Sequence, residues 1–320
     1  MSHDQDSVSI MAINSESTRF LLWAFSRGVS FKSVLTLGRQ HFCPSNRETE
    51  QMFRERRLGT KWLQGFDDTG LERYAEPFWK ALGAQRIDSM DVSPYEQATL
   101  VHDLNRPVPA EMEEEFDVVF DGGTLEHVFH LPVALHNCLR MVKVGGHFIA
   151  TTHANNFCGH GFYQFSPELF YRAFSAPTGF EVRRLTMVEF GPFCRWYDVE
   201  DPAKTGCRVQ LVNAWPVMLF VLARKNGPTP SFWPDVQQSD YRAVWDKTAA
   251  ELSPGPPTPG SRMLPNGMRK FLKNTIPRVV RSLEALFYSR FNPRYSFRNG
   301  IAFHKLNKKR LLSLQEGSNP

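Results

Sequence analysis

The stretch from Phe116 to Asn156 constrains the fold more than any other segment. Phe116, Val118, Val119 and Phe120 make an apolar run that ends in Asp121-Gly122-Gly123. A helical pattern follows, with Pro132 suited to a first turn and Leu135, Cys138, Leu139 and Val142 recurring on one face. Gly145-Gly146 then turns the chain into a second apolar run, His147 to Thr152, which stops at His153. Strand, polar loop, crossover helix and strand make the repeating unit of a parallel sheet. In an open sheet of this kind, ligand groups collect where the carboxyl ends of the strands meet their loops. Asp121 to His127 and Thr151 to Asn156 are therefore expected to share one cleft.

The rest of the body repeats the alternation. Ser17 to Ser26 reads as an amphipathic helix stopped by Gly28, and Ser33 to Gly38 as the first strand and its exit. A helix over Leu71 to Leu82 closes at Gly83. Arg86 to Val92 and Thr99 to Asp103 are the second and third strands. Ser166-Pro167-Glu168 starts a helix, with a capping hydroxyl before a first-turn proline, and Glu181 to Phe190 and Val217 to Ala223 supply two more strands. The pattern predicts an α/β, doubly wound, mostly parallel sheet covered on both faces.

The acidic exit of the fourth strand, Leu125-Glu126-His127-Val128, the helix after it and Val144-Gly145-Gly146 come in an order that resembles the second half of a class I S-adenosylmethionine (SAM)-dependent methyltransferase. The resemblance is strongest from Arg86 to Ser175 and extends loosely over Glu16 to Lys225. The segment is also similar to bacterial methyltransferases associated with surface-polysaccharide biosynthesis. The resemblance implies a Rossmann-like sheet of seven strands, the last antiparallel, and SAM as the cofactor. It implies backbone approach at Gly38, an acid for the ribose hydroxyls at Asp91 and an adenine-side contact at Asp103. Asp121 and Gly122 at the fourth exit complete the expected cofactor set. The loop Leu37-Gly38-Arg39-Gln40-His41 departs from the family pattern, with one glycine where two or three are usual. Arg39 reads either as a fork for the methionine carboxylate or as a surface residue.

Methyl transfer from a sulfonium needs positioning first, and a hydroxyl acceptor also needs a base for its proton. Histidine is suited to that task near neutral pH, and His153, His160 and His127 all fall on the expected cleft side, with His153 and His160 favoured because the loop after the fifth strand is expected to face the acceptor. A hydrogen-bonded structural role is the competing reading for each. No metal is expected. His127 and His130 are three apart, and Asp121, Cys158 and His160 could converge with them, but the spacing matches no established ligand pattern. The loop Asn155 to Ser166, with its amides, glycines and aromatic rings, suits a small or lipid-linked, sugar-containing acceptor, against the alternative that its rings only anchor it. The expected activity is O-methyl transfer. The alternative is a binding or scaffolding protein on a methyltransferase fold that has lost catalysis.

The 320 residues divide by composition. The net charge of +5 hides a tail, Ser261 to Arg310, with 13 lysines and arginines against one acid, Glu284; before it, acids outnumber bases 31 to 25. Between them, Ser253 to Gly260 is rich in proline and glycine and sustains neither helix nor central strand. The expected organisation is an N-terminal helical segment over 1–30, a methyltransferase domain over 31–225, a proline-rich linker over 226–265 and a basic amphipathic helical extension over 266–320. An insertion at about 41–84, carrying Phe53, Trp62, Phe66, Tyr74, Phe78 and Trp79, is expected to form a lid or substrate-side element. In the tail, Val279, Val280, Leu283, Leu286 and Phe287 form an apolar stripe among arginines. Such a helix can lie on an anionic membrane surface or fold back on the acidic body. Nucleic acid is the less expected third partner, since no recognised binding module accompanies the charge. With no secretory pattern and no run of about 18 apolar residues, the expected location is the cytoplasm, with the tail able to reach the inner membrane face. Five scattered cysteines, an odd number, are expected to be reduced and mostly buried.

Overall fold

A computed structural model describes residues 12–59, 73–250 and 295–306. The apolar runs become strands β1 (Ser33–Leu37), β2 (Arg86–Asp91), β3 (Leu100–Val101), β4 (Phe116–Asp121), β5 (Val142–Asn155), β6 (Phe180–Glu189), β7 (Arg195–Val199), β8 (Val217–Lys225) and β9 (Phe303–Lys305). Among the described residues these form one sheet in the order β3-β2-β1-β4-β5-β8-β6-β7-β9. β1 to β5 pair in parallel, β8 lies antiparallel between β5 and β6, and β7 and β9 extend the edge antiparallel.

The expected count of seven strands is thus corrected to nine. β1 to β6 with β8 account for the expected seven, the last antiparallel. The two extra strands are short: β7 folds back on β6 as a hairpin, and β9 pairs with β7 from about a hundred residues away, a signal that periodicity does not carry.

Strand faces alternate as the pleat requires. Leu35, Leu37, Val119 and Phe148 face α4 (Leu131–Met141) through Leu135, Cys138 and Leu139, together with Phe170 and Phe174 around α5 (Pro167–Ala173). Val34, Val118, Phe120 and Ile149 face the other layer, made by α1 (Ser15–Ser26), α2 (Asn46–Glu55) and α3 (Glu76–Ala81). Local chemistry sets the helix starts. The Asn14 side chain accepts from the amides of Glu16 and Ser17, Ser45 and Glu48 form a reciprocal capping box, and Ser166 caps α5. At the far end of α4 the buried Lys225 ammonium donates to the carbonyls of Leu139 and Val142, at 3.1 and 2.9 Å, where a cation suits the helix dipole.

In the part described, His41 of the insertion lines the cleft at the carboxyl ends of the strands, while three of its rings pack on the sheet. Phe53, Phe78 and Trp79 are buried, Phe78 stacks on Phe42, and Trp79 meets Phe31 and Phe120 on the sheet face. Trp62 and Phe66 lie outside the described residues, as does the Val279–Phe287 stripe. Of the five cysteines only Cys138 is buried, while Cys43 and Cys158 are exposed. After the proline-rich stretch the chain returns to the body: Phe297 stacks on Tyr197 with centroids 3.9 Å apart, and β9 pairs with β7. No helix among the described residues is long and apolar enough to cross a membrane.

Candidate active site

Strand order reverses between β1 and β4, so their loops diverge and open a crevice at the carboxyl ends of the parallel strands. A cleft of about 430 Å³ lies there, and Gly38, Arg39, Asp91, Asp103, Gly122 and His127 all line it. Gly38 leaves β1 at φ +68° with its amide on the Met90 carbonyl, 2.7 Å away, which ties the exits of β1 and β2 together. A side chain at Gly122 would run into Gln40, whose amide caps the last carbonyl of β1 at 2.6 Å. These two glycines keep the floor of the cleft at backbone level.

The acids at the strand exits differ in what they have left to offer. Asp91 Oδ1 accepts from the Ser93 amide at 3.1 Å. Asp103 Oδ1 is bonded by the Asn105 amide and side chain, and those bonds hold its carboxyl below its ordinary range. Asp121 is a correction to the sequence reading, because it lies beneath the cleft, fully buried. Its Oδ1 accepts from the amides of Thr124 and Leu125 at 2.9 and 3.2 Å and so builds the turn after β4. Burial raises its carboxyl to about 6 against those bonds. Arg39 is a second departure. Its Nε is bonded to Glu76 Oε1 at 2.7 Å and its guanidinium lies 3.6 Å from the centre of the Tyr74 ring, so the fork is engaged by the protein itself.

The three histidines do come together. His127 Nε2 and His160 Nε2 are 3.1 Å apart, and the His160 ring meets His153 edge-on with centroids 4.5 Å apart. The segment after β5 is stapled to the turn at Glu126, whose carbonyl accepts from the Phe162 amide at 2.7 Å. Gly161, at φ +71°, lets the two backbones touch, since a Cβ there would sit 2.8 Å from that carbonyl. This contact is what brings His160 beside His127. His153 itself has no exposed surface: it stacks on Phe157 and its Nδ1 lies 3.3 Å from Glu126 Oε1.

Burial, and then the neighbouring His160 and His127, push the His153 ring down to about 3, far below a useful base at neutral pH. His127 is lowered by burial and by His160, and His160 by burial, so all three rings are neutral at pH 7. His153 is therefore a support behind the site, and His127 and His160 are its accessible members. In sequence Glu126 reads only weakly, as an acid orienting the adjacent His127; the structure sets it against His153 instead. Next to His127 in the chain it points the other way, as neighbours on a helical turn do, and it meets β5, taking a 3.0 Å bond from the Thr152 hydroxyl on Oε2. Burial and then the charge of Asp121 raise its carboxyl to about 8. Sequence contained the two polar ends of this contact but not their meeting. The loop amides that suggested a sugar site are used internally: Asn155 and Asn156 bond Asn213, and Asn156 also bonds the Trp215 carbonyl.

Residues 69–150, which hold β2 to β4, α4 and much of β5, match the family described as methyltransferase domain. No curated protein matches the chain. Among solved structures, a Burkholderia thailandensis 1,6-didemethyltoxoflavin-N1-methyltransferase with bound 1,6-didemethyltoxoflavin and S-adenosylhomocysteine is 14% identical, over 66% of this chain and 80% of that one, at a TM-score of 0.34. A Bacillus halodurans putative methyltransferase is 12% identical over 65% and 99%, also at 0.34. The Thermus thermophilus branched-chain polyamine synthase, in complex with N4-aminopropylspermidine and 5'-methylthioadenosine, is 14% identical over 70% and 58%, at 0.35. Similarity of this degree assigns neither reaction nor substrate. The family match stands apart from it, and it covers the segment that forms most of the cleft.

Proposed function

We propose that the protein is a SAM-dependent methyltransferase acting on a hydroxyl. The observation that carries this reading is that five of the six cofactor positions singled out in the sequence line one cleft, with His127 in the same wall. The matched methyltransferase-domain segment supplies most of that lining. The residues fit SAM: the volume is within the usual range for a ligand site, two glycines leave backbone exposed on the floor, and Asp91 keeps one oxygen for a pair of hydroxyl donors. When bound, SAM supplies a methyl group already activated on a sulfonium.

The chain's own task is then to hold the donor and to take one proton. Asp91 and Asp103 orient the nucleoside end, and Gly38 and Gly122 allow close approach. His127 lines the cleft with His160 3.1 Å behind it, both neutral, and a ring nitrogen there would take the proton of an acceptor hydroxyl. Phe129 and Phe162, exposed and packed edge to face at 5.6 Å, flank this pair and favour an acceptor with an apolar face, such as a lipid-linked sugar.

Calorimetry with SAM and with S-adenosylhomocysteine tests the reading. Wild-type protein is expected to bind one equivalent. Asp91→Ala removes a pair of charge-assisted bonds worth about 2–3 kcal/mol and should weaken binding by tens-fold with the fold intact. A wild-type chain that stays folded but binds no SAM at about 1 mM, the upper end of ordinary KM values, would leave the non-catalytic binding role instead.

A further inference from the structure

We propose that His127, His160 and Glu126 form a site for one divalent first-row transition-metal ion, Zn²⁺ in the simplest case. One ligand atom from each of the three lies within 4.8 Å of the others. Around an ion with bonds of about 2.0–2.1 Å, tetrahedral ligands stand about 3.4 Å apart, and the His127 and His160 Nε2 atoms are already 3.1 Å apart. The carboxylate, within 4.8 Å of both nitrogens, would move inward to complete three bonds of that length.

Glu126 points to an ion independently of the histidine pair. It is fully buried, and its Oε1, with the His153 ring nitrogen 3.3 Å away, makes no well-aligned hydrogen bond. A buried carboxylate oxygen left in that state is costly unless a cation or a donor reaches it. Its other oxygen is fixed by the Thr152 hydroxyl, the kind of outer contact that orients a ligating carboxylate. Two imidazoles and one carboxylate suit zinc and its first-row neighbours better than magnesium, which favours oxygen donors. Three protein ligands leave a fourth position open, the pattern of catalytic rather than structural zinc. His127 is exposed and lines the cleft, so that open position faces the acceptor side.

Sequence spacing could not announce such a set. Two of the ligands are neighbours and the third lies 33 residues from His127, brought in by the Gly161 contact. The placement of the ion stands on these side chains alone. Its role in the reaction rests on the methyl-transfer reading and takes the place of the base role of the two rings: an acceptor oxygen at the open position would be polarised and would give up its proton to water.

The test is calorimetric titration of full-length, EDTA-treated protein with Zn²⁺, Mn²⁺ and Mg²⁺. One Zn²⁺ should bind with micromolar or tighter affinity, and Mg²⁺ far more weakly. His127→Ala and His160→Ala should each weaken Zn²⁺ by about 100-fold or more, the upper end of what even outer-shell changes cost. Both residues are on or near the surface, so these variants are expected to fold, and thermal melts of the metal-free proteins would check it. Absence of stoichiometric Zn²⁺ binding in the wild type overturns the site. So does undiminished binding in both variants, which would place the ion elsewhere. SAM titrations on the same samples separate the two ideas: loss of SAM binding with Zn²⁺ retained removes the methyl-transfer reading and leaves the metal site standing.

Discussion

The parallel half of the sheet and its antiparallel half place their functional groups by different means. From β1 to β4 each strand exit presents one small or acidic residue to the crevice. Its address follows from where an apolar run stops and from strand order. From β5 to β9 the groups are placed by contacts between remote segments. Glu126 meets His153, the Trp196 indole donates to Glu16 at 2.5 Å, Phe297 stacks on Tyr197, and β9 closes on β7. The cleft at the exits of β1 to β4 is thus encoded locally and the histidine cluster beside it by tertiary structure. Damage to the two halves should therefore be felt differently.

The largest expected effect tests the antiparallel edge. Phe303 is 3% exposed, and its ring packs on Phe297 at 5.0 Å. Phe303→Ala should cost about 3 kcal/mol or more, as buried phenylalanine truncations do, read as the midpoint shift in urea unfolding. SAM affinity measured on the folded variant should be unchanged, since β9 pairs with β7 at the far edge of the sheet from the cleft. An unchanged midpoint would make β9 an ornament and the two halves alike. Loss of SAM affinity would show that the edge supports the cleft after all.

A smaller effect is expected at the floor of the cleft. Gly38 sits at φ +68°, and a Cβ there would lie 3.2 Å from Thr124 Oγ1. Gly38→Ala should cost about 1–2 kcal/mol of stability from the left-handed conformation alone. It should also weaken SAM binding, because the added methyl stands where the donor approaches. Stability loss without loss of affinity would take Gly38 out of the cofactor contact and leave it as a turn residue.

The local half was the more legible. Gly38, Asp91, Asp103 and Gly122 are strand exits that the family resemblance implies, and the structure puts all four on one cleft. Asp121 obeyed the same rule and still faces the wrong way: the side chain was taken by the turn it builds, and a sequence does not say whether an exit acid caps backbone or faces ligand. Arg39 was visible as a cation, but its partner Glu76 lies 37 residues on. The histidines were found as a set, while their ranking was not. His153 looked the equal of His160 until the pleat turned it inward against Phe157. β9 is three residues long and paired to a strand more than a hundred residues earlier, beyond the reach of any periodicity.

β5 is the seam between the halves, and the smallest expected effect, a pH effect, lies on it. His147 stands beside Arg224 on the neighbouring β8. Burial first, then the charges of Arg224 and Arg183, hold its ring down to about 4. An unfolded histidine titrates near 6.5. The depressed folded value means that the unfolded chain takes up this proton first as pH falls. The contribution is fully present above pH 6.5 and is lost as pH drops through 4. Between pH 7.5 and 5 His147 should take about 1 kcal/mol from wild-type stability after allowance for its partial exposure, while the raised Glu126 and Asp121 carboxyls act in the opposite direction. His147→Gln cannot take up the proton and keeps those carboxyls, so the urea midpoint of the wild type should drop relative to that of the variant over the same interval. Parallel pH profiles for the two proteins would mean that Arg224 and Arg183 swing away to solvent. The seam would then be free of the repulsion its cross-strand register implies.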